Sequence, residues 1–480
     1  MSVLLLNPPG PAGERFIREG RCTQSGGFWT TVWPPLSLAG IAALCEDRGH
    51  DVTLIDCAAE GLDFEELDEE LKRLNPSLVV WATGSPTISS DLALAERLKA
   101  SVPDCKTAVI GTHVSVFDSE VLNRYPAIDA VIRNEPELTA SELTRVIGEG
   151  RGWDSVLGLT FRATNGIRRN DSRPFLSSLD ELPFPAWHLV RTEHYRLPLS
   201  GQPFLIVAPL RGCPHRCTFC TAPTYYGKKL RRHSVEYVVR EIRHDFLQFG
   251  VRDVFIWADT FTLDRDYVRE FCTRLVEETI DVQWACNSRV DTVDPELLEI
   301  MAKAGCWMMS FGIESGCQDI LDRSRKAATI AQARRAVEAA RGAGIRTVGH
   351  FILGLPGETR ETCETTIDFA CSLPLDLAQF YAAAPFPGSE LYDEAKNNGW
   401  LDSDPFREAD QDRPTLDLPS IDAATVAAYR REAYRRFYGR PQLAVRLVRD
   451  MSVRSGISAI RTLAGYVGLR ALLRRATTSA

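Results

Sequence analysis

The chain of 480 residues has no run of about 18 apolar residues, the length a membrane-spanning helix needs. Its opening MSVLLLNPPG has no basic stretch ahead of a short apolar run, so it reads as a buried strand rather than a secretion signal. A cytoplasmic protein is the expectation. Internal repeats and low-complexity tracts are absent, which excludes solenoid, collagenous and fibrous architectures. A disulfide framework is also missing: the 13 Cys are odd in number and mostly isolated in apolar surroundings, as at Cys45, Cys57, Cys272, Cys306 and Cys371. Lysine is absent from Arg430 onward, where twelve Arg, Arg430 included, stand against two acids, a net +10 in a chain whose overall charge is −8. An acidic body of this kind disfavours nucleic acid as a partner. What is present is ordinary for a globular protein, 44% hydrophobic and 25% charged residues, with chain enough for two to four domains.

Residues 1–150 alternate short apolar runs with amphipathic stretches. The runs Val3–Leu6, Val52–Ile55, Leu78–Trp81, Ala108–Ile110 and Ala130–Ile132 are separated by helical patterns near 37–48, 64–74, 90–101, 118–124 and 138–148. Five strand–helix units predict a flavodoxin-like (Rossmann-type) parallel sheet, with ligands beyond the C-terminal strand ends. Those ends carry small or turn-forming residues, among them Gly84, Ser85, Thr87, Gly111, His113, Asn134 and Glu135. The aperiodic segment 9–34, with Phe16, Arg18, Trp29 and Trp33, reads as a ligand-facing loop. Residues 151–203 read as a linker holding a hairpin at Asn165-Gly166. Six further strand–helix units over 204–400 predict a (β/α)6 partial barrel, with chemistry at its C-terminal strand ends. Residues 401–480 read as helical and Arg-rich.

The segment Arg211-Gly-Cys213-Pro-His-Arg-Cys217-Thr-Phe-Cys220 follows the first barrel strand. Three thiolates at this spacing can converge on zinc, copper(I) or an iron–sulfur cluster. Structural zinc takes four protein ligands, and His215 lies inside the loop. Three thiolates on a four-iron cluster leave one iron open to a small molecule.

This CxxxCxxC resembles the hallmark of the radical S-adenosylmethionine (SAM) superfamily. The resemblance implies that Cys213, Cys217 and Cys220 hold a [4Fe–4S] cluster whose open iron chelates SAM, with Phe219 near the adenine. It extends along the barrel, to Asp259-Thr260 where the family has GGE, to Ser288-Arg289, to Glu314-Ser315 and to Gly354-Leu-Pro356. These would be further SAM contacts. Ser315 and Thr359 also fit as plain caps.

The order of domains resembles the cobalamin-binding branch of that superfamily. The DxHxxG motif of methionine-synthase-type cobalamin domains is absent, so cobalt ligation by a His from below is not implied. Gly111-Thr-His113-Val-Ser115 resembles the branch's GGPHxS loop, and Arg133-Asn134-Glu135-Pro-Glu137 stands where GExE is common. His113 reads either as a cobalamin contact or as a loop His capping the sheet. His350 reads either as a core His or as a proton carrier.

By resemblance, the enzyme cleaves SAM reductively to a 5′-deoxyadenosyl radical and modifies an unactivated carbon of a small molecule. C-methylation through methylcobalamin is the leading outcome. Oxidation or ring closure without methyl transfer is the alternative, and methylthiotransfer or a cobalamin or redox sensor follow. A one-electron reductant such as flavodoxin or ferredoxin is implied. The basic segment 430–480 reads as a helix packed on the barrel or as a peripheral membrane contact; the second would favour a lipid or isoprenoid substrate.

Overall fold

In the computed structural model, residues 1–19, 24–25, 32–197, 200–402, 404–440 and 443 are described. The first sheet is built from β1 (Ser2–Asn7), β2 (Asp51–Asp56), β3 (Leu78–Ala82), β4 (Lys106–Ile110) and β5 (Ala130–Ile132), all parallel, in the order β2-β1-β3-β4-β5. Each strand is followed by a helix: α1 (Leu36–Glu46), α2 (Phe64–Leu74), α3 (Ile88–Ser101), α4 (Asp118–Arg124) and α5 (Glu137–Gly148). Side chains alternate across a strand, so β1 feeds two cores. Val3 and Leu5 pack with Ile41 of α1 and Leu143 of α5, while Leu4 and Leu6 pack with Leu67 of α2 and Leu92 of α3.

The NG hairpin is where it was expected but belongs elsewhere. Its strands β6 (Leu159–Ala163) and β7 (Gly166–Arg169) extend the first sheet antiparallel to β5, rather than forming part of a free linker. The stretch after it is also embedded. Trp187 and Tyr195 are fully buried in the core that α1 and α5 share with the barrel residues Phe204 and Phe255.

The second sheet holds β8 (Phe204–Val207), β9 (Asp253–Ile256), β10 (Gln283–Arg289), β11 (Cys306–Glu314), β12 (Arg346–Leu353) and β13 (Leu377–Ala382), in chain order and all parallel. The helices α6 (Val235–Phe249), α7 (Arg265–Glu277), α8 (Pro295–Lys303), α9 (Ile330–Gly342), α10 (Arg360–Ser372) and α11 (Glu390–Asn397) follow the strands as the periodicity predicts. Several start on a side-chain cap: Ser234, Asp264, Asp294, Thr329, Thr359 and Ser389 each accept a backbone N–H.

Among the described residues after 400, the irregular chain leads into one long helix, α12 (Ala423–Tyr438). Before it, an irregular segment inserts Phe406 into the core of the first domain. The helix α12 lies along β13, the last strand of a barrel that does not close. An edge strand leaves backbone groups unpaired. Here the Tyr438 hydroxyl donates to Ala378 O at 2.7 Å and accepts from Ala378 N at 3.1 Å. The Tyr434 hydroxyl accepts from Phe380 N at 3.2 Å, and Arg430 Nε donates to Phe380 O at 2.8 Å. Arg430, Arg436 and Arg440 are thereby committed to barrel or neighbouring groups, Asp412, Asp368 and Cys371 O among them. The packed reading therefore holds for 430–440, and the membrane reading falls on 444–480, outside the described residues. No described helix is long and apolar enough to cross a membrane.

Tyr438→Phe should lower unfolding stability by about 1–3 kcal/mol, because two buried groups of Ala378 lose their partner. Tyr429→Phe, whose hydroxyl meets only the exposed Glu364, should change it by less than about 0.5 kcal/mol. Paired denaturant titrations check both.

Candidate active site at the strand ends

Inward-facing residues of the barrel recur every second position, and they line a cavity of about 330 Å³. The loop after β8 forms one wall at its mouth, where Cys213, Cys217, Cys220, Phe219 and His215 all face the space. The loop can enter only at a glycine. Gly212 has φ +90°, and a Cβ there would meet Lys229 O at 2.3 Å. Thr218 N donates to Ser324 O at 3.0 Å, and Leu391 N donates to Thr218 O at 2.8 Å, tying the loop to the barrel.

Burial pushes the Cys217 thiol up, and Lys326 and Arg289 pull it back. Arg289 Nη1 lies 3.9 Å from Cys217 Sγ, as suits a sulfur that carries charge when it binds metal. Among the described residues, no three His, Cys, Asp or Glu side chains are already gathered around one point. The fit to a cluster lies in the donor set: three thiols on one wall, with two cations beside them.

Of the residues assigned to SAM, Phe219, Asp259, Thr260, Ser288, Arg289 and Glu314 line the cavity. Arg289 is held by Asp291 at 2.8 and 2.9 Å and donates to Lys326 O at 2.6 Å. Glu314 ends β11 at φ +69°, and it pairs with Lys326 at 2.6 Å. That pair needs the bare backbone of Gly312, where a Cβ would lie 2.6 Å from Glu314 Oε1.

The remaining three are placed differently. Ser315 is fully buried and does not line the cavity, accepting from Cys317 N at 3.1 Å and bonding Thr366 at 3.0 Å, which is a turn-forming role. Gly354 and Pro356 form a turn away from the cavity walls. In it Gly354 N and Leu355 N donate to the buried Glu358, whose carboxyl burial pushes up to about 7. Thr359 caps α10 as the sequence suggested.

At the strand ends of the first domain, a buried polar network replaces the open cradle expected there. Asp91 accepts from Gly84 N at 2.9 Å, from Thr87 Oγ1 at 2.6 Å and from Arg18 Nη2 at 2.8 Å. Arg18 also donates to Asn7 and to Pro8 O, and Asn7 donates to Asp56, which accepts from Tyr195 at 3.0 Å. Gly111, at φ +143°, would press a Cβ to 2.5 Å from Thr83 Oγ1.

Both ring nitrogens of His113 are engaged, with Ser85 Oγ at 3.1 Å and Pro405 O at 2.8 Å, and Phe406 stacks on the ring. Both ring nitrogens are thus bonded within the fold, as a capping histidine's would be. Asn134 turns the chain at φ +59°, its N–H donating to Ser115 Oγ at 2.9 Å. Glu135 does not face an open loop. It chelates Arg231, 2.9 Å at its longer contact, while Glu137 holds Arg211 at 2.6 Å. Arg211 and Arg231 belong to the short hairpin that flanks the Cys loop, so these pairs join the two domains.

Sequence reasoning passed over several cavity residues. Glu19, Lys326, Gln379 and Tyr381 line it, and nothing local marks them. The alternation within β13 alone could have paired Gln379 with Tyr381.

Burial pulls His113 down to about 4, so it stays neutral in the fold. The unfolded chain binds that proton more readily, and native stability from this residue is lost as pH falls from about 6.5 to about 4. His113→Gln should remove up to about 1.4 kcal/mol of that loss per pH unit. Urea titrations of both proteins between pH 7 and pH 4 check the slope.

Comparison with known proteins follows the same division of the chain. The radical SAM superfamily model matches residues 207–370, and the B12 binding domain model matches residues 29–144. An uncharacterized methyltransferase of Pyrococcus horikoshii is 33% identical over 468 residues, 97% of this chain and 98% of that one. The cytidylyl-2-hydroxyethylphosphonate methyltransferase of Streptomyces wedmorensis is 29% identical, covering 83% of this chain and 82% of its own. Among solved structures, the radical SAM methyltransferase TsrM of Kitasatospora setae, with cobalamin and a [4Fe–4S] cluster, superposes with a TM-score of 0.70 at 18% identity, over 92% of this chain and 89% of that one. The cysteine wall, the six-strand barrel and the Rossmann-type domain ahead of it thus have one common explanation: the chain belongs to the cobalamin-binding branch of the radical SAM superfamily.

Proposed function

We propose that this chain is a cobalamin-dependent radical SAM methyltransferase that places a methyl group on an unactivated carbon of a small molecule. One observation carries the reading. A single cavity is lined by the Cys wall of the barrel and by Ile17, Glu19 and Trp33 of the first domain. When bound, the cluster and SAM supply the radical chemistry and cobalamin carries the methyl group.

The chain's own residues bind, orient and exclude water. Cys213, Cys217 and Cys220 hold the cluster, with Arg289 and Lys326 balancing thiolate charge. Phe219, Asp259, Thr260, Ser288 and Glu314 surround SAM. Gly84, Ser85, Thr87, Gly111, Asn134 and Glu135 shape the corrin-facing side by backbone position, since most of their polar groups are already bonded within the fold. His113 supports that side rather than ligating cobalt. A one-electron reductant such as flavodoxin or ferredoxin feeds the cluster.

Methylthiotransfer would need a second cluster in the first domain. Cys45 is buried on one face of its sheet and Cys57 and Cys105 on the other, so these three do not form one.

Anaerobic reconstitution with cobalamin, SAM and reductant should give about four iron per chain and both 5′-deoxyadenosine and S-adenosylhomocysteine by mass analysis. Cys217→Ala should lose iron and both products. Retention of SAM cleavage in that variant would sink the assignment, and 5′-deoxyadenosine without S-adenosylhomocysteine would favour ring closure or oxidation.

The lipid reading of the tail has its own test, cosedimentation with anionic vesicles before and after truncation at Gly439. Salt-sensitive binding lost on truncation supports it; a change in melting temperature alone leaves only packing.

A further inference from the structure

The cavity is graded from mouth to floor. At the mouth lie the three Cys, Asp259, Arg289, Glu314 and Lys326. His350 and Gln379 stand in register with Arg289, and Tyr381 stands one inward position further toward the strand ends; they are neutral and polar, as are Asn287 and Ser310 one inward step down. His350 Nδ1 lies 3.1 Å from the Tyr381 hydroxyl, which donates to Gln379 Oε1. Val348 and Leu377 share the row of Asn287 and Ser310, and below them, at the floor where the strands begin, the inward residues are Phe204, Phe255 and Met308. Trp33 of the first domain closes this end, edge-on to Phe255 at 4.7 Å and to Trp257 at 5.0 Å. Large apolar side chains left half-buried inside a barrel, as Trp33, Trp257, Trp307 and Met308 are, face a space that an apolar molecule can fill.

Charge narrows the occupant. Among the described lining residues the permanent cations are Arg289 and Lys326, and each is already held, by Asp291 and by Glu314. Arg289 stands in register with His350 and Gln379, its charge met by Asp291, and neither cation stands at the floor. Burial pulls His350 down to about 4, so it adds no positive charge near neutral pH. An anion placed beside His350 and Gln379 would be desolvated next to cations already committed to Asp291 and Glu314, whereas a hydroxyl or carbonyl oxygen would find hydrogen-bonding groups.

We infer that the space from His350, Gln379 and Tyr381 down to the floor holds the substrate, and that the substrate is neutral. Its apolar carbon body sits among Trp33, Phe255 and Met308, and one hydroxyl or carbonyl oxygen is held at His350, Gln379 and Tyr381. This rests on the methyltransferase reading and names its substrate class. It also separates this chain from a relative whose named substrate is a phosphonate.

The test is equilibrium dialysis of the reconstituted holoenzyme against matched probes: farnesol with farnesyl diphosphate, and 2-naphthaleneethanol with its phosphate ester. At least one alcohol should bind, about tenfold or more tighter than its phosphorylated partner. Met308→Trp, which fills the floor, should weaken that binding about tenfold and leave the cluster spectrum and SAM retention unchanged. If that variant loses the cluster spectrum, Val348→Phe is read in its place. Equal or tighter binding of the phosphorylated probes, binding of none of them, or alcohol binding indifferent to the floor substitution would each overturn the inference. The readout needs no turnover. An alcohol that binds as stated and receives no methyl group in any assay counts against the methyltransferase reading alone.

Discussion

The buried ion pairs between Glu135, Glu137, Arg211 and Arg231 set the relation of the two domains. Two carboxylates on the strand-end loop of one sheet hold two guanidiniums on the hairpin that brackets the Cys loop of the other. Taking such charges out of water costs several kcal/mol per ion, and their mutual attraction repays this only in good geometry. Interdomain pairs of this kind therefore say less about stability than about register. They accept one placement of the Cys loop against the first domain and penalise others, because a slip would leave a charge buried alone.

The cavity follows from that placement. Its mouth is barrel, but Ile17, Glu19 and Trp33 come from the first domain. Burial raises the Glu19 carboxyl to about 7, against the pull of its bonds to Ser37 at the start of α1. Segment 9–19 is anchored further by Arg18, which is buried against Asp91 and three groups near the end of β1. The loop read from sequence as ligand-facing is, over its described first part, pinned to the sheet from which it emerges.

The barrel has an opposite problem at β13, which has no seventh strand beside it. A neighbouring strand would have supplied backbone partners. Instead α12 supplies side chains of the right reach, two Tyr hydroxyls and one guanidinium, to the N–H and C=O groups of Ala378 and Phe380. Two of those three residues were visible in the sequence only as part of a basic, aromatic tail. Their chemistry is that of an edge cover, and charge pattern alone pointed equally to a membrane.

The sequence by itself determined the strand–helix units of the two sheets and the location of the Cys loop. Those properties depend on local periodicity and on short-range rules of chain connection, which a single chain displays in order. The Cys triplet was legible for the same reason, since its spacing lies within eight residues. Only the tertiary structure decided what the strand-end polar groups do. His113, Glu135, Ser315 and Gly354 sit where a cofactor contact was expected, but their partners are Pro405, Arg231, Thr366 and Glu358. Three of those partners come from 50 to nearly 300 residues away, and no local pattern encodes a bond across such a span. The neutral, apolar inner cavity was hidden likewise. It is assembled from alternate positions on six different strands, each of which, read alone, is an ordinary buried strand.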